Sequence, residues 1–334
     1  MPPAPPVWVT WVIEISVVVP TRNRLEKLNQ TLSSLAKQTL DPARYEVLVV
    51  DDGSEPPIQL PTRGPTERFR VLRIMHGERS AARNHGATVA TGEFLAFVDD
   101  DMILAPVFLE AHRAAQRQWP GALAVGAVSL PEEVVGTPFG RFRADLETRG
   151  VPHQRGVVIQ PNFCTATNMS LSKEGFLALG GFDPDLVSAE DQDLALRHSA
   201  RGGAIVFIPE AVAIHNDHSL DIRSYCRRAE WGAENMMPFC QHHPDLTENR
   251  LRAVVNGPVR WRTDSASLVL KKLLKSVLGS GSVPEILFAL TGLVERVNPS
   301  SRVLSWLYQM LLGVHLQRGF RRGWTKATDR RWRG

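Results

Sequence analysis

The residues best suited to chemistry in this chain are acids in two places. Asp99, Asp100 and Asp101 lie in "FLAFVDDDMILAP" (94–106), and Glu190 and Asp191 lie in "AEDQDLALR". Three adjacent carboxylates repel one another at neutral pH, so something must supply the opposing charge. Asp99 and Asp101, spaced as D-x-D, suit a hard divalent cation such as Mn2+ or Mg2+, with diphosphate oxygens completing its shell. The alternative is a solvated loop whose acids cap the next helix. Against it, the acids end an apolar run and Met102-Ile103-Leu104 follow at once. Glu190 and Asp191 open an amphipathic pattern, where the helix dipole alone also favours acids.

Hydrophobic periodicity defines the elements that must hold these groups. "EISVVVP" (14–20), "YEVLVVDDGS" (45–54), "RFRVLRIM" and "GEFLAFV" (92–98) read as strands. Between them, "RLEKLNQTLSSLAKQT" sets Leu25, Leu28, Leu32 and Leu35 at helical spacing, and "RSAARNHGATVAT" also reads as a helix. Alternating strands and helices specify an α/β, Rossmann-like domain with a mainly parallel sheet flanked by helices. Ligands collect at the carboxyl ends of such strands. Thr21-Arg22-Asn23, Asp51-Asp52 and Asp99-Asp100-Asp101 therefore converge on one crevice. The second half is less regular: a strand at 122–130, a Gly/Pro/Arg-rich segment to about residue 160, a helix from Glu190, and the strand "AIVFIP". From about residue 250 the pattern is helical.

Composition excludes several classes. With 43% hydrophobic and 22% charged residues the chain is globular, not disordered. Its net charge is +4, and the final stretch holds Arg318, Arg321, Arg322, Lys326, Arg330, Arg331 and Arg333 against Asp329. That end suits a nucleic acid or an anionic membrane surface, or else is a frayed, solvated terminus; for the chain as a whole no nucleic-acid partner is expected. Cys164, Cys226 and Cys240 are widely spaced, which fits a reducing compartment. The N-terminus lacks a signal-peptide pattern, and no apolar run approaches the ~20 residues of a bilayer span. These features predict a cytoplasmic protein, with peripheral contact at the inner face of the membrane, through C-terminal basic helices, as the variant. Those helices otherwise pack on the catalytic domain or form a homodimer. No G-x-G-x-x-G follows the first strand, which excludes a dinucleotide dehydrogenase. The Gly-free "PTRNRLEKL" disfavours a nucleotidyltransferase.

"SVVVPTRNR", "VLVVDDGS", "ERSAARNHGATVATGEFLAFVDDDM", "LGGFDPDL" and "AEDQDLALR" occur in this order. Together they resemble the family 2 glycosyltransferases over roughly residues 14–235. The resemblance implies a GT-A fold and an inverting, metal-dependent enzyme. Residues 13–245 would form the catalytic domain, with 13–110 as the nucleotide-sugar-binding half and 111–245 as the acceptor half. Residues 250–334 would be a helical, basic extension. Pro20, Thr21, Arg22, Asn23 and Arg24 would line the nucleotide pocket, and Asp52 with Asp51 would meet the base edge. Arg79 and Arg83 would face the nucleotide, although Arg83 also suits a core ion pair. Asp101 would be the principal metal ligand, with Asp99 and Asp100 toward the ribose and metal. Asp191, beside Glu190, would be the general base. His215 would be a further metal ligand, with His218 competing, and Gly180-Gly181 would allow close backbone approach to the sugar or acceptor. The implied partners are a nucleoside-diphosphate sugar and a hydroxyl-bearing acceptor: a glycan, a lipid-linked sugar or a small molecule. A scaffold that binds sugar nucleotide or glycan without turnover is the alternative.

Overall fold

The structure, a computed structural model, describes residues 12–60, 64–151, 154–217, 221–246 and 254–331. The Pro-rich start, His218 and Arg333 lie outside the described residues. The chain divides into two compact units.

The first unit comprises residues up to Ser129 with Gly150–Pro184 and Asp191–Asn216. Its sheet begins with four parallel strands, β1 (Ile15–Thr21), β2 (Tyr45–Asp52), β3 (Phe69–Ile74) and β4 (Phe94–Val98), in the order β3-β2-β1-β4. Every residue of β1, β2 and β4 is buried, because helices cover both faces; hence the near-continuous apolar runs, interrupted by the buried Ser16 and Glu46. Val17, Val19, Val47, Val49 and Ala96 point to one face. There helix α1 (Leu25–Leu35) buries Leu28, Leu32 and Leu35. Leu25, which shares their spacing, is exposed. Val18, Leu48, Val50, Leu95 and Phe97 point to the other face, where helix α2 (Glu78–Val89) packs through Ala82 and Ala87.

Strands β5 (Met102–Leu104), β6 (Leu123–Ser129), β7 (Asn168–Ser172) and β8 (Ile205–His215) complete an eight-stranded sheet that continues β4-β7-β6-β8-β5. This half is mixed: β7 runs antiparallel to β4 and β6, and β5 antiparallel to β8. The last strand runs further than "AIVFIP" suggests. A register shift opposite Gly126/Ala127 absorbs Pro209, which cannot donate to a ladder, and pairing resumes as far as His215. Helix α3 (Phe108–Gln118) contributes the fully buried His112, whose ring bonds Ser170 Oγ (2.8 Å) and Asn168 Oδ1 (2.9 Å). Burial lowers the pKa of His112 to about 4, so the ring is neutral. Asn168 Nδ2 in turn donates to the carbonyls of Ala127 and Ala211, locking β7 to its neighbours.

The second unit comprises Leu130–Arg149, Asp185–Glu190 and Asp217 onward. The Gly/Pro/Arg-rich segment is helical over Pro138–Thr148, because Thr137 caps the Gly140 N–H and Pro138 occupies the first turn. Helix Ile222–Asn235, which falls in the range assigned from sequence to the catalytic domain, packs against helix Arg302–Arg331. Glycine permits the approach: a Cβ on Gly319 would lie 2.0 Å from the Glu230 carbonyl oxygen. The Glu230 side chain is buried between His315 and Arg322. Phe139 meets Tyr225 and Tyr308 edge to face at 5.6 and 5.4 Å.

Candidate active site

The three acids following β4 are the centre of the site, and the chain itself answers much of their repulsion. Arg24 Nη1, at the entry to α1, lies 2.8 Å from Asp100 Oδ1 and 3.0 Å from Asp101 Oδ2. Thr21 Oγ1 donates to Asp100 Oδ2 at 2.7 Å. Arg83, only 1% exposed, reaches Asp99 Oδ1 at 2.6 Å from α2. Burial nevertheless pushes the Asp100 pKa up to about 6, outweighing Arg24 and Thr21. Thr31 fixes the backbone, donating to the Asp100 carbonyl and accepting from Met102 N.

β8 brings His215 to this place. Met102 is in register with His215, and Asn216 N donates to the Asp101 carbonyl at 2.8 Å. His215 Nε2 is 3.4 Å from Asp101 Oδ2, close enough for both to share one cation. Among the described residues no group of three His, Cys, Asp or Glu is arranged to hold a metal. A carboxylate and an imidazole are donors that a hard divalent ion accepts, and an ion held by these two would need further oxygens from a bound ligand or water.

The loops after β1 and β2 interlock. Asn23, with φ +55°, donates its N–H to Ser54 Oγ and accepts from Glu55 N. Asp51 is 2% exposed; its oxygens take the Ser54 N–H and the Arg73 guanidinium, so it braces the turn. Asp52 accepts from Gly77 N at 2.7 Å and bonds His76 Nδ1 at 2.8 Å. Arg22 Nη1 bonds His76 Nε2 at 2.6 Å. His76 was not singled out from the sequence. Its signal is its place just after β3, whose Ile74 is in register with Asp52. Pro20 and Thr21 are the last residues of β1, and Arg79 lies exposed on α2.

Asp191 lies in the first turn of helix Glu190–Ala200, and Glu190 beside it is buried. Ala189, just before, holds φ +64°, costly for a residue with a Cβ. Asp191 Oδ2 accepts from Ala166 N at 3.3 Å. Ala166 precedes β7 by two residues, and Asn168 is in register with Val98 at the end of β4. Asp191 is thus anchored to the strand beside the one that ends in Asp99–Asp101. Its charge, with burial as the larger cause, raises the Cys164 thiol pKa, so that thiol is inert. The same helix is tied to the Gly180-Gly181 turn by Arg197, which donates to the carbonyls of Leu179 and Gly181. Gly181, at φ +75°, sits against Asn84: a Cβ there would lie 2.6 Å from Asn84 Oδ1.

Residues 16–171 match the sequence model of "Glycosyl transferase family 2". The validoxylamine A glucosyltransferase of Streptomyces hygroscopicus subsp. limoneus is 28% identical over 306 residues, covering 83% of this chain and 67% of that protein. The pre-mycofactocin glycosyltransferase of Mycobacterium tuberculosis is 30% identical over 245 residues, covering 70% of this chain and 49% of that protein. Among solved structures, the mannosyltransferase PcManGT of Pyrobaculum calidifontis, in complex with GDP-Man and Mn2+, superposes with a TM-score of 0.57 at 18% identity. That likeness covers 92% of this chain and 88% of the other, and it identifies the fold as GT-A.

Proposed function

Because the chain belongs to glycosyl transferase family 2, its match running over residues 16–171, we propose that it moves a sugar from a nucleoside-diphosphate sugar to an acceptor hydroxyl with inversion. Asp191 takes the proton of the acceptor hydroxyl as that oxygen attacks the anomeric carbon. The anomeric carbon–oxygen bond to the diphosphate breaks in the same step, and the diphosphate leaves with the electron pair. Asp101 and His215, with Asp99 nearby, would hold Mn2+ or Mg2+ with the diphosphate oxygens. That ion would supply Lewis-acid stabilisation of the charge on the leaving group. Arg24, which neutralises Asp100 and Asp101, would be within reach of the donor phosphates. Asp52, held by His76 and Gly77, would meet the base edge.

The observation that carries this reading is the tie between Asp191 and Ala166 at 3.3 Å, together with the register of Asn168 with Val98. It brings a carboxylate suited to be the base to the strand end next to the D-x-D acids. The glycosyltransferase relatives and the Mn2+ and GDP-Man in the mannosyltransferase structure support the donor class and the ion.

The direct test incubates the full chain with a panel of sugar nucleotides, Mn2+ and candidate acceptors. Release of nucleoside diphosphate is followed, and proton NMR reads the anomeric configuration of the product. An α-linked donor should give a β-linked product. Retention of configuration would overturn the single-displacement reading.

A further inference from the structure

Helix Ala266–Leu278 is built inside out. Its buried side chain is a lysine: Lys272 is 1% exposed, lies 2.7 Å from Asp264 Oδ2 and donates to the Pro258 carbonyl at 2.9 Å. Its apolar residues Leu270, Leu273, Leu274 and Val277, at spacings of three and four, are 67%, 42%, 54% and 62% exposed. A helix on a water-facing surface has the opposite arrangement. Helix Val283–Val297 also exposes an apolar stripe, though its inward residues are apolar or neutral. It turns Phe288 and Thr291 inward and leaves Ile286, Leu290, Leu293 and Val297 exposed. Val303 and Trp306 extend the outward apolar surface onto the start of helix Arg302–Arg331. Three successive elements of one unit thus expose apolar stripes, more than scattered surface leucines account for.

Among the described residues no single helix is long and apolar enough to cross a membrane, and the first two helices meet at a bend of 88°. Charge then selects the occupant. Residues 250–334 hold sixteen Lys and Arg against four Asp and Glu, in a chain whose net charge is +4. Arg262, Lys271, Arg296 and Arg302 are exposed and adjoin stripe or tryptophan residues in sequence. Glu285, an exposed acid on the second helix, is already engaged by Arg223 at 2.7 Å. A second copy of the chain would set this positive surface against itself. Anionic headgroups neutralise it, while the acyl boundary takes the leucines, valines and isoleucine. Trp261 and Trp306, both exposed, suit the headgroup level, where an apolar ring with one N–H donor is at home.

We propose that the stripes of Ala266–Leu278 and Val283–Val297 are an in-plane docking face for an anionic lipid bilayer, a binding surface separate from the transfer chemistry. The test is flotation of the full chain with vesicles of phosphatidylcholine and phosphatidylglycerol (roughly 7:3) and with phosphatidylcholine alone, alongside light scattering of the free protein. The expected result is a monomer that floats with the anionic vesicles. The double variant Leu273→Asp/Leu290→Asp, at solvent-exposed positions, should keep the wild-type melting temperature and lose at least ~10-fold in bound fraction. Failure to float with either vesicle overturns the proposal. So does binding that the double variant leaves unchanged, which would assign the contact to the basic residues alone. A wild-type dimer that the variant converts to monomer overturns it too, because the face is then covered by a second copy. None of these outcomes touches the glycosyl-transfer assay.

Discussion

Arg83 and Asp99 form an ion pair of 2.6 Å in which the guanidinium is almost wholly buried, directly behind the acids of the candidate site. Removing one partner leaves the other charge without its counter-ion in a low-dielectric surrounding. Arg83→Met should therefore lower the midpoint of urea denaturation, although Asp99, itself partly exposed, keeps some access to water. A role confined to the donor phosphates would instead weaken donor binding and leave the denaturation midpoint in place.

Asp191→Asn keeps the shape of the side chain and its ability to accept from Ala166 N, but removes its basicity. Turnover should fall by roughly 10²–10⁴-fold, the usual worth of a positioned base. Donor affinity, measured by calorimetry, should stay within about twofold, since the change acts in the transition state. Near-wild-type turnover would remove Asp191 from the mechanism.

Asp101→Ala and His215→Ala should both weaken Mn2+-dependent donor binding. The loss should be the greater at Asp101, because the carboxylate brings charge to the cation and the neutral imidazole does not. Thermal shift with donor, with and without EDTA, reads this directly. A donor-induced shift that EDTA and Asp101→Ala both leave intact would exclude the ion from donor binding.

Glu46 provides the pH test. Burial pushes its pKa up, but hydrogen bonds from Ser16, Thr91 and Arg70 outweigh that and hold it below the usual carboxylate value of 4.5. The folded protein thus binds this proton more weakly than the unfolded chain does. The stabilisation is fully present above the unfolded pKa and is lost as pH falls through the lowered folded value. Glu46→Gln should lower the melting temperature at pH 7, and the gap to wild type should narrow as the pH falls below the unfolded value of 4.5. A gap that stays constant with pH would show that the charge contributes nothing.

Gly319→Ala tests the packing of helix Arg302–Arg331 against helix Ile222–Asn235 in the second unit. On an exposed helical surface this change stabilises by up to ~1 kcal/mol. Here the new Cβ would lie 2.0 Å from the Glu230 carbonyl oxygen, and backbone cannot step aside as a side chain can. Overpacking of about 1–3 kcal/mol should win, and the melting temperature should drop.

Much of the candidate site's location was legible in the sequence, for a physical reason. β1, β2 and β4 are buried on both faces, so each wrote a nearly continuous apolar run whose end marks the crevice: Thr21, Asp52, Asp99. The mixed half was less readable. Pro209 ends the strand in the linear pattern, yet the register shift carries β8 on to His215. The segment 131–160 looked irregular because its Pro and Gly residues, read singly, break helices; in place, Pro138 opens one. His76 went unnoticed because its partners Asp52 and Arg22 lie 24 and 54 residues away.

Residue order alone determined that this chain forms an α/β sheet with acids at its strand ends, because burial and strand period are local properties written into consecutive residues. It also contained the ordered motifs that resemble family 2. Only the tertiary structure decided which charges meet. Arg24 sits on Asp100 and Asp101, Arg83 is spent on Asp99, Asp191 is anchored at Ala166, and Lys272 rather than leucine faces inward from its helix. Those pairings depend on distances between segments far apart in the chain, and electrostatic energy falls with distance in space, not along the sequence.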